Sequence, residues 1–542
     1  MSPFEHGEVY VLEDGGEVDL DLGNYERFLD ITLSASHSMT SGKIYDQVLK
    51  RERAGHYLGK TVQTIPHVTD AIQDWISDVA RRPVDLSGAR PDVCILELGG
   101  TVGDIENAMY LEALQQLSFK VGSENFVVAH VGMVPVMGCT GEQKTKPCQN
   151  SVKQLREAGL KPDILLCRSE QKLEDATRRK ISLFCQVPPE GVVSLNDISN
   201  IYKVPLLLAD QHLGSYICRL LRLANESSVA PTLRFDAAVL ASFGPEVREV
   251  RLGDWHLIAS RVDSCTQYVV IGIVGKYTGL HDSYISAIKA LKHAAIEASL
   301  HLSIEWIESS DLEPNARSLD EGRYNHAWNR LKHVHGVLVP GGVGDRGIEG
   351  LVLAAQHCRK ENVPYLGISV GLQTCVIEFA RSVLGWEAAN SMEFDETTPH
   401  PVVVFMPESS AMSTGGSWRL GSRATIIKES DSLAHRIYGG RSVIYERHRH
   451  RYEVNIHCVP SFESKGMRFS GQDDRGQRME ICELRNHQYF FACQFHPEFR
   501  TRPSEPSPPF LGLVLAAAQK LEKRLQDDGG VLRPGLGFDR GH

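Results

Sequence analysis

Tyr365-Leu366-Gly367-Ile368-Ser369-Val370-Gly371 is an apolar run that enters Gly-x-Ser-x-Gly, and a helical pattern follows it. This is the spacing of a nucleophile elbow, in which glycines allow a tight strand-to-helix turn that exposes the central side chain beside backbone N–H groups able to hold an oxyanion. An ordinary strand-to-helix turn carries the same pattern. Downstream, His496-Pro497-Glu498 places an imidazole and a carboxylate two residues apart, so both can face one way on an extended segment, as a base and its orienter would. Two further groups suit a nucleoside triphosphate and its cation. Asp19-Leu20-Asp21 lies near the start, and Glu97 ends an apolar run before Gly99-Gly100-Thr101-Val102-Gly103-Asp104-Ile105-Glu106; carboxylates at strand ends suit Mg²⁺, which takes one or two of them plus phosphate oxygens and water. Lys144-Thr145-Lys146-Pro147-Cys148-Gln149 packs two cations and polar donors into a turn suited to phosphates. Solvated loop acids and surface lysines are the plain alternatives for both.

The elements that must hold these groups alternate. Apolar runs at Val93 to Leu98, Phe126 to Pro135 and Ile164 to Cys167 read as buried strands between helical patterns, which predicts a parallel α/β sheet. Periodicity fades from Glu226 to Gln267, predicting a linker. A second α/β unit follows, with a strand at Tyr268 to Val274, a helix near Ser283 to Ala298, strands ending at Pro340 and Ser369, and a last helix from Leu511 to Gln526. The predicted division is a first domain at 1–225, a linker at 226–267, a second domain at 268–526 and a disordered tail at 527–542. The 542 residues are 42% hydrophobic, which excludes general disorder, and 58 Lys plus Arg against 68 Asp plus Glu argue against a nucleic-acid coat. No apolar run approaches the ~20 residues that span a bilayer, and the twelve cysteines form no Cys-x-x-Cys pair, so a cytoplasmic protein with reduced thiols is expected.

With their neighbours, these pieces resemble CTP synthase. The resemblance runs through Val274-Gly275-Lys276-Tyr277, Val339-Pro340-Gly341-Gly342, Asn390-Ser391-Met392-Glu393-Phe394, the stretch from Glu446 to Asn455 and Gln494 to Phe499, and in the first half through the acidic and lysine segments above. It implies an α/β fold: a P-loop-type amidoligase domain, truncated at its start, then a class I glutamine amidotransferase domain. It further implies that ATP phosphorylates the uracil 4-oxygen of UTP and that ammonia from glutamine displaces the phosphate, giving CTP. By this resemblance Ser369, His496 and Glu498 stand at the catalytic positions. Gly342, Val370, Gly371, Leu372, Gln373, Glu393 and Arg451 line the glutamine pocket. Asp104, Ile105, Glu106, Lys144, Thr145, Lys146, Gln149 and Asn196 contact nucleotide, and Asp21 and Glu97 hold Mg²⁺. Glu393 would receive the substrate ammonium and Arg451 its carboxylate. UTP, CTP, ATP, glutamine and GTP as an effector are the implied small-molecule partners, and a homotetramer, or a hetero-oligomer with an active homologue, the implied assembly.

The chain departs from the family pattern in four places. The elbow nucleophile is Ser369 where the family has cysteine; a hydroxyl depends on a base far more than a thiol does. Cys375, six residues on, is rotated away from Ser369 on a helix and is not expected to substitute. Val343 replaces an aromatic in the loop after Pro340, and Asn196 a basic side chain. The family's opening strand, Gly-rich phosphate loop and Lys-(Leu/Ile)-Asp-Pro-Tyr segment precede the point at which this sequence begins, and Ala54 to Thr61 does not supply the loop. Three readings follow: a CTP synthase whose true start lies upstream, a catalytically degenerate subunit that regulates or co-assembles with an active one, and a serine hydrolase using Ser369.

Overall fold

The computed structural model describes residues 7–85, 88–223, 250–406 and 418–533, which form two compact units, one of residues 39–264 and the other of residues up to 38 together with those from 265 onward. The division differs from the one expected at residue 225, because the first 38 residues belong to the second unit. No helix among the described residues is long and apolar enough to cross a membrane.

The 39–264 unit has a three-stranded parallel sheet in the order Ala129–Met133, Ile164–Ser169, Val192–Asn196. The middle strand is the apolar Ile-Leu-Leu-Cys, and helices Lys146–Glu157 and Asp175–Cys185 cover it with Cys148, Val152, Ile181 and Cys185. A second core joins helices Ser41–Arg53, Thr69–Val79 and Ala108–Val121 through Ile44, Val48, Ile72, Ala113 and Leu117. The expected buried strand at Val93 to Leu98 is irregular and exposed, with Ile95 77% accessible. A strand needs a neighbour to satisfy its backbone, and no described strand pairs with this run. For the same reason Ala129–Met133 is an edge strand whose Val131 and Met133 face outward. The expected linker lies outside the described residues up to 249, but Val250–Ser264 is a helix. Its Ile258 and Ala259 are buried, its Trp255 stacks on Tyr202, and its Asp263 accepts from Asn200.

The second unit is built on a nine-stranded mixed sheet. Its parallel part runs His301–Glu308, Tyr268–Gly275, Gly336–Val339, Tyr365–Ile368, Phe490–Cys493, and its antiparallel part continues Met479–Leu484, Met467–Gln472, Arg419–Ile427, Val443–His450. The four inner parallel strands are apolar and largely buried, between Ile285–Glu297 and Pro508–Ala517 on one side and Ile348–Glu361 and Val370–Ser382 on the other, whereas the edge strand His301–Glu308 carries Ser303, Glu305 and Glu308 and is only partly buried. The single last helix expected is two, Pro508–Ala517 and Leu521–Asp527, broken where Gln519 takes φ 57°. Beyond it the chain packs through Leu532, which is fully buried, so the tail expected from 527 is ordered to 533; 534–542 lie outside the described residues.

Residues 7–38 are tied to this sheet by buried charge. Asp19 caps helix Leu20–Leu29 by accepting from Asp21 N–H, and the helix carries Glu26, fully buried, against Arg447 of strand Val443–His450. Arg447 donates to Glu26 Oε2 at 2.8 Å, to Tyr10 Oη at 2.9 Å and to Val11 O at 3.0 Å, and Glu13 pairs with its Nε at 3.1 Å. Removing one partner of a buried pair leaves the other charge uncompensated. Glu26→Gln should therefore lower the stability of this unit by about 3 kcal/mol in urea titration, whereas Arg317→Ala, at an exposed helix pair of the same unit, should change it by less than about 0.5 kcal/mol. Equal effects would show that the buried network contributes nothing.

Candidate active site

The second unit contains a partly open cleft. Strand Tyr365–Ile368 ends at Ser369, and helix Val370–Ser382 starts at the next residue. Ser369 has φ 53° and ψ −102°, a left-handed conformation that a side chain rarely adopts, and its N–H donates to Cys493 O at 2.7 Å. The turn is tight because the glycines have no side chain: a Cβ on Gly371 would lie 2.4 Å from Val339 O, and one on Gly367 2.8 Å from Gly371 O. The strain thus aims the Ser369 hydroxyl into the cleft, with the start of a helix behind it.

His496 follows strand Phe490–Cys493, the neighbour of the elbow strand, so adjacent sheet positions deliver Ser369 and the imidazole to one cleft. His496 Nδ1 is 2.8 Å from Glu498 Oε1, and the ring stacks on Phe499, with centroids 5.2 Å apart. A Cβ on Gly341 would come within 2.6 Å of His496 Cε1, so the loop after Pro340 passes close only because it is glycine. With Nδ1 engaged by a carboxylate, Nε2 is the free position on the ring.

Gly342, Val370, Gln373, Glu393 and Arg451 also line the cleft, whereas Gly371 and Leu372 do not. Gly371 abuts Val339 and accepts from Tyr365 Oη, and Leu372 is fully buried in the core, because a helix leaving the elbow turns its second and third residues back to the sheet. Gln373 Nε2 donates to Tyr452 O, leaving its buried Oε1 without a partner. Arg451 stacks over Trp418 and Tyr452. Burial raises the Glu393 pKa, and the nearby charges of Arg451 and Lys276 oppose that rise. Lys276, pushed down to about 8 by burial, donates to Gly344 O and so fixes the loop that holds Val343. Cys375 is buried and turned away: its thiol donates to Leu372 O and faces Cys482, 3.7 Å distant.

Sequence reasoning missed Glu8 and Val9, which line the same cleft from the first segment. The Glu8 carboxylate accepts from Ser286 Oγ and N–H, and burial raises it to about 8, with Glu498 adding a smaller push in the same direction. No local pattern marks it, since its partner is 278 residues away.

The other predicted site residues lie mostly in the 39–264 unit. Lys144 to Gln149 follow the carboxyl end of strand Ala129–Met133, and Asn196 ends Val192–Asn196, so both stand at the carboxyl edge of a parallel sheet, where ligands of such sheets bind. Lys144 pairs with Glu142 at 2.7 Å, Thr145 is buried and accepts from Gln149 Nε2, and Lys146 starts helix Lys146–Glu157. Asp104, Ile105 and Glu106 form an exposed turn before helix Ala108–Val121. Glu97 is exposed on the irregular run, while Asp21 sits on helix Leu20–Leu29 of the other unit. Each unit by itself holds only one carboxylate of the expected Mg²⁺ pair.

The chain matches two family models, "CTP synthase N-terminus" over residues 1–223 and "Glutamine amidotransferase class-I" over 280–516. It is 51% identical over 531 residues to CTP synthase of Dictyostelium discoideum, covering 96% of this chain and 91% of that one. This chain belongs to the CTP synthase family. To human CTP synthase 1 it is 49% identical over 526 residues, covering 97% of this chain and 86% of the relative. A solved Trypanosoma brucei CTPS glutaminase domain with bound acivicin is similar at 37% identity and TM-score 0.43, over 46% of this chain and 94% of that one. The general reaction of the family is the ATP-dependent amination of UTP to CTP.

Glu8 gives a pH test. Its folded pKa, about 8, lies above the ordinary 4.5, so between these values the unfolded chain has released a proton that the folded one keeps; stability falls as pH rises through that window. Glu8→Gln should flatten the decline in unfolding free energy between pH 5 and pH 8, measured in urea. An unchanged slope would show that Glu8 does not hold its proton.

Proposed function

We propose that this chain is a CTP synthase-family subunit whose glutaminase cleft recognises glutamine but turns it over slowly, because the attacking group is a hydroxyl. The observation that carries this reading is Ser369 itself, held in the strained elbow within a cleft that keeps Glu393, Arg451 and the His496–Glu498 pair. In this reading Glu393 receives the substrate α-ammonium and Arg451 its α-carboxylate. The Val370 N–H at the helix start and the Gly342 N–H face the developing oxyanion. His496 takes the Ser369 proton at Nε2 and returns it to the departing ammonia, while Glu498 stabilises the imidazolium formed. A γ-glutamyl ester forms and water then cleaves it. A cysteine in this place would be partly thiolate near neutral pH, whereas serine relies on the base for its whole activation.

In the amidoligase half, Lys144, Thr145, Lys146, Gln149, Asn196 and the turn Asp104 to Glu106 are the proposed nucleotide contacts. Two lysines at the carboxyl edge of the sheet support a triphosphate there. Asp21 and Glu97 remain the proposed carboxylates for Mg²⁺. A purely regulatory subunit is the second reading, and Ser369 is the observation that favours it.

Three assays on the full chain separate the readings. Ser369→Cys should raise glutamate release from glutamine by on the order of tenfold or more; wild-type release equal to the variant's would overturn the proposal. Supplying ammonia with UTP and ATP bypasses Ser369: CTP formation identifies an active amidoligase, and none favours the regulatory subunit. Ester hydrolysis abolished by Ser369→Ala would support a hydrolase instead.

A further inference from the structure

A buried polar cluster next to the glutamine cleft takes no part in the chemistry above. His448 and His450 alternate on strand Val443–His450 and so share a face, and Glu480 reaches them from strand Met479–Leu484. The chain after Phe490–Cys493 joins the two strands, since Gln494 N–H donates to Glu480 O and His496 N–H to Arg447 O. His448 Nδ1 is 2.9 Å from His450 Nε2 and 3.6 Å from Glu480 Oε2, and the three ligand atoms lie within 4.8 Å of one another. None of the three residues is more than 3% exposed.

We infer that His448, His450 and Glu480 bind one divalent transition-metal ion, zinc being the best match. Two imidazoles and a carboxylate are a common zinc set, and ligand atoms ~2.0–2.1 Å from a tetrahedral ion stand roughly 3.3 Å apart, close to the spacings here. Hydrogen bonding alone leaves the cluster unsatisfied: Glu480 Oε2 is buried without a partner, and the contact between the two rings engages only one nitrogen of each. The outer shell is also that of a metal site. The remaining nitrogen of His450, Nδ1, faces Glu453 Oε1 at 3.4 Å, the arrangement of carboxylate, histidine and metal that orients a ligating ring.

The surrounding charge admits a cation. Arg419 donates to the other Glu480 oxygen, Oε1, and Arg478 pairs with Glu453, so two guanidinium groups face three buried carboxylates, those of Glu453, Asp473 and Glu480. Three protein ligands leave a fourth position for water, and because His450 lines the cleft, the ion would fix that part of the wall.

The untagged full chain, dialysed against a chelator and then titrated with Zn²⁺ in a calorimeter, should take up about one ion per chain, and Co²⁺ should give the visible absorption of a tetrahedral site. Glu480→Gln should weaken Zn²⁺ binding by roughly tenfold or more, while His301→Ala, outside the cluster, should leave it unchanged. No stoichiometric uptake by the wild-type chain overturns the inference, as does uptake that Glu480→Gln leaves intact. If that variant does not fold, the wild-type titration alone decides.

Discussion

The left-handed backbone at Ser369 is the constraint around which the second unit is arranged. A non-glycine residue held there costs on the order of 1–3 kcal/mol, and it persists because the surroundings leave it no alternative. Its N–H is held by Cys493 O, the strand before it is buried between two strands, and the helix after it packs through Leu372, Cys375 and Val376. The same constraint sets the site. Because the elbow strand pairs in parallel with Phe490–Cys493, the residues leaving both carboxyl ends share one cleft, which brings an imidazole 127 positions downstream to the serine. Nothing in this framework depends on whether the exposed atom is oxygen or sulfur. The fold can therefore keep its strain and its recognition groups while the chemistry of the central atom changes.

Burial of charge is the second organising feature. Arg447 joins Glu26, Tyr10, Val11 O and Glu13, so one fully buried guanidinium anchors residues 7–38 onto the sheet that carries the cleft. Neighbouring positions on its strand point in alternate directions: Arg447 serves this anchor, His448 and His450 face Glu480, and Arg451, just beyond the strand end, lines the cleft. A run of alternating cations and imidazoles thus serves three environments within five residues.

The legible parts of the molecule were those set by local pattern. Gly-x-Ser-x-Gly after an apolar run gave the elbow, the two-residue spacing of His496 and Glu498 gave their hydrogen bond, and apolar runs gave three of the five parallel strands of the second unit, Tyr268–Gly275, Gly336–Val339 and Tyr365–Ile368. The failures share a cause, which is dependence on distant partners. Val93 to Leu98 has strand composition but no described strand beside it. Val250–Ser264 sits in a polar stretch yet folds because Tyr202, Asn200 and Lys203 receive it. Glu8 and Glu26 carry no local signal of burial, and only tertiary packing against Ser286 and Arg447 buries them. Gly371 and Leu372 belong to the motif but serve packing, because a helix presents only some of its first residues to the cleft.

Recognition and turnover are separable in this account, and the most direct test measures both on one sample. Calorimetric titration of the wild-type chain with glutamine, with glutamate assayed in the same cell, should give saturable binding to about one site per chain with little glutamate formed, and Arg451→Met should weaken that binding by roughly tenfold or more. Absence of glutamine binding, or binding that Arg451→Met leaves unchanged, would contradict the account.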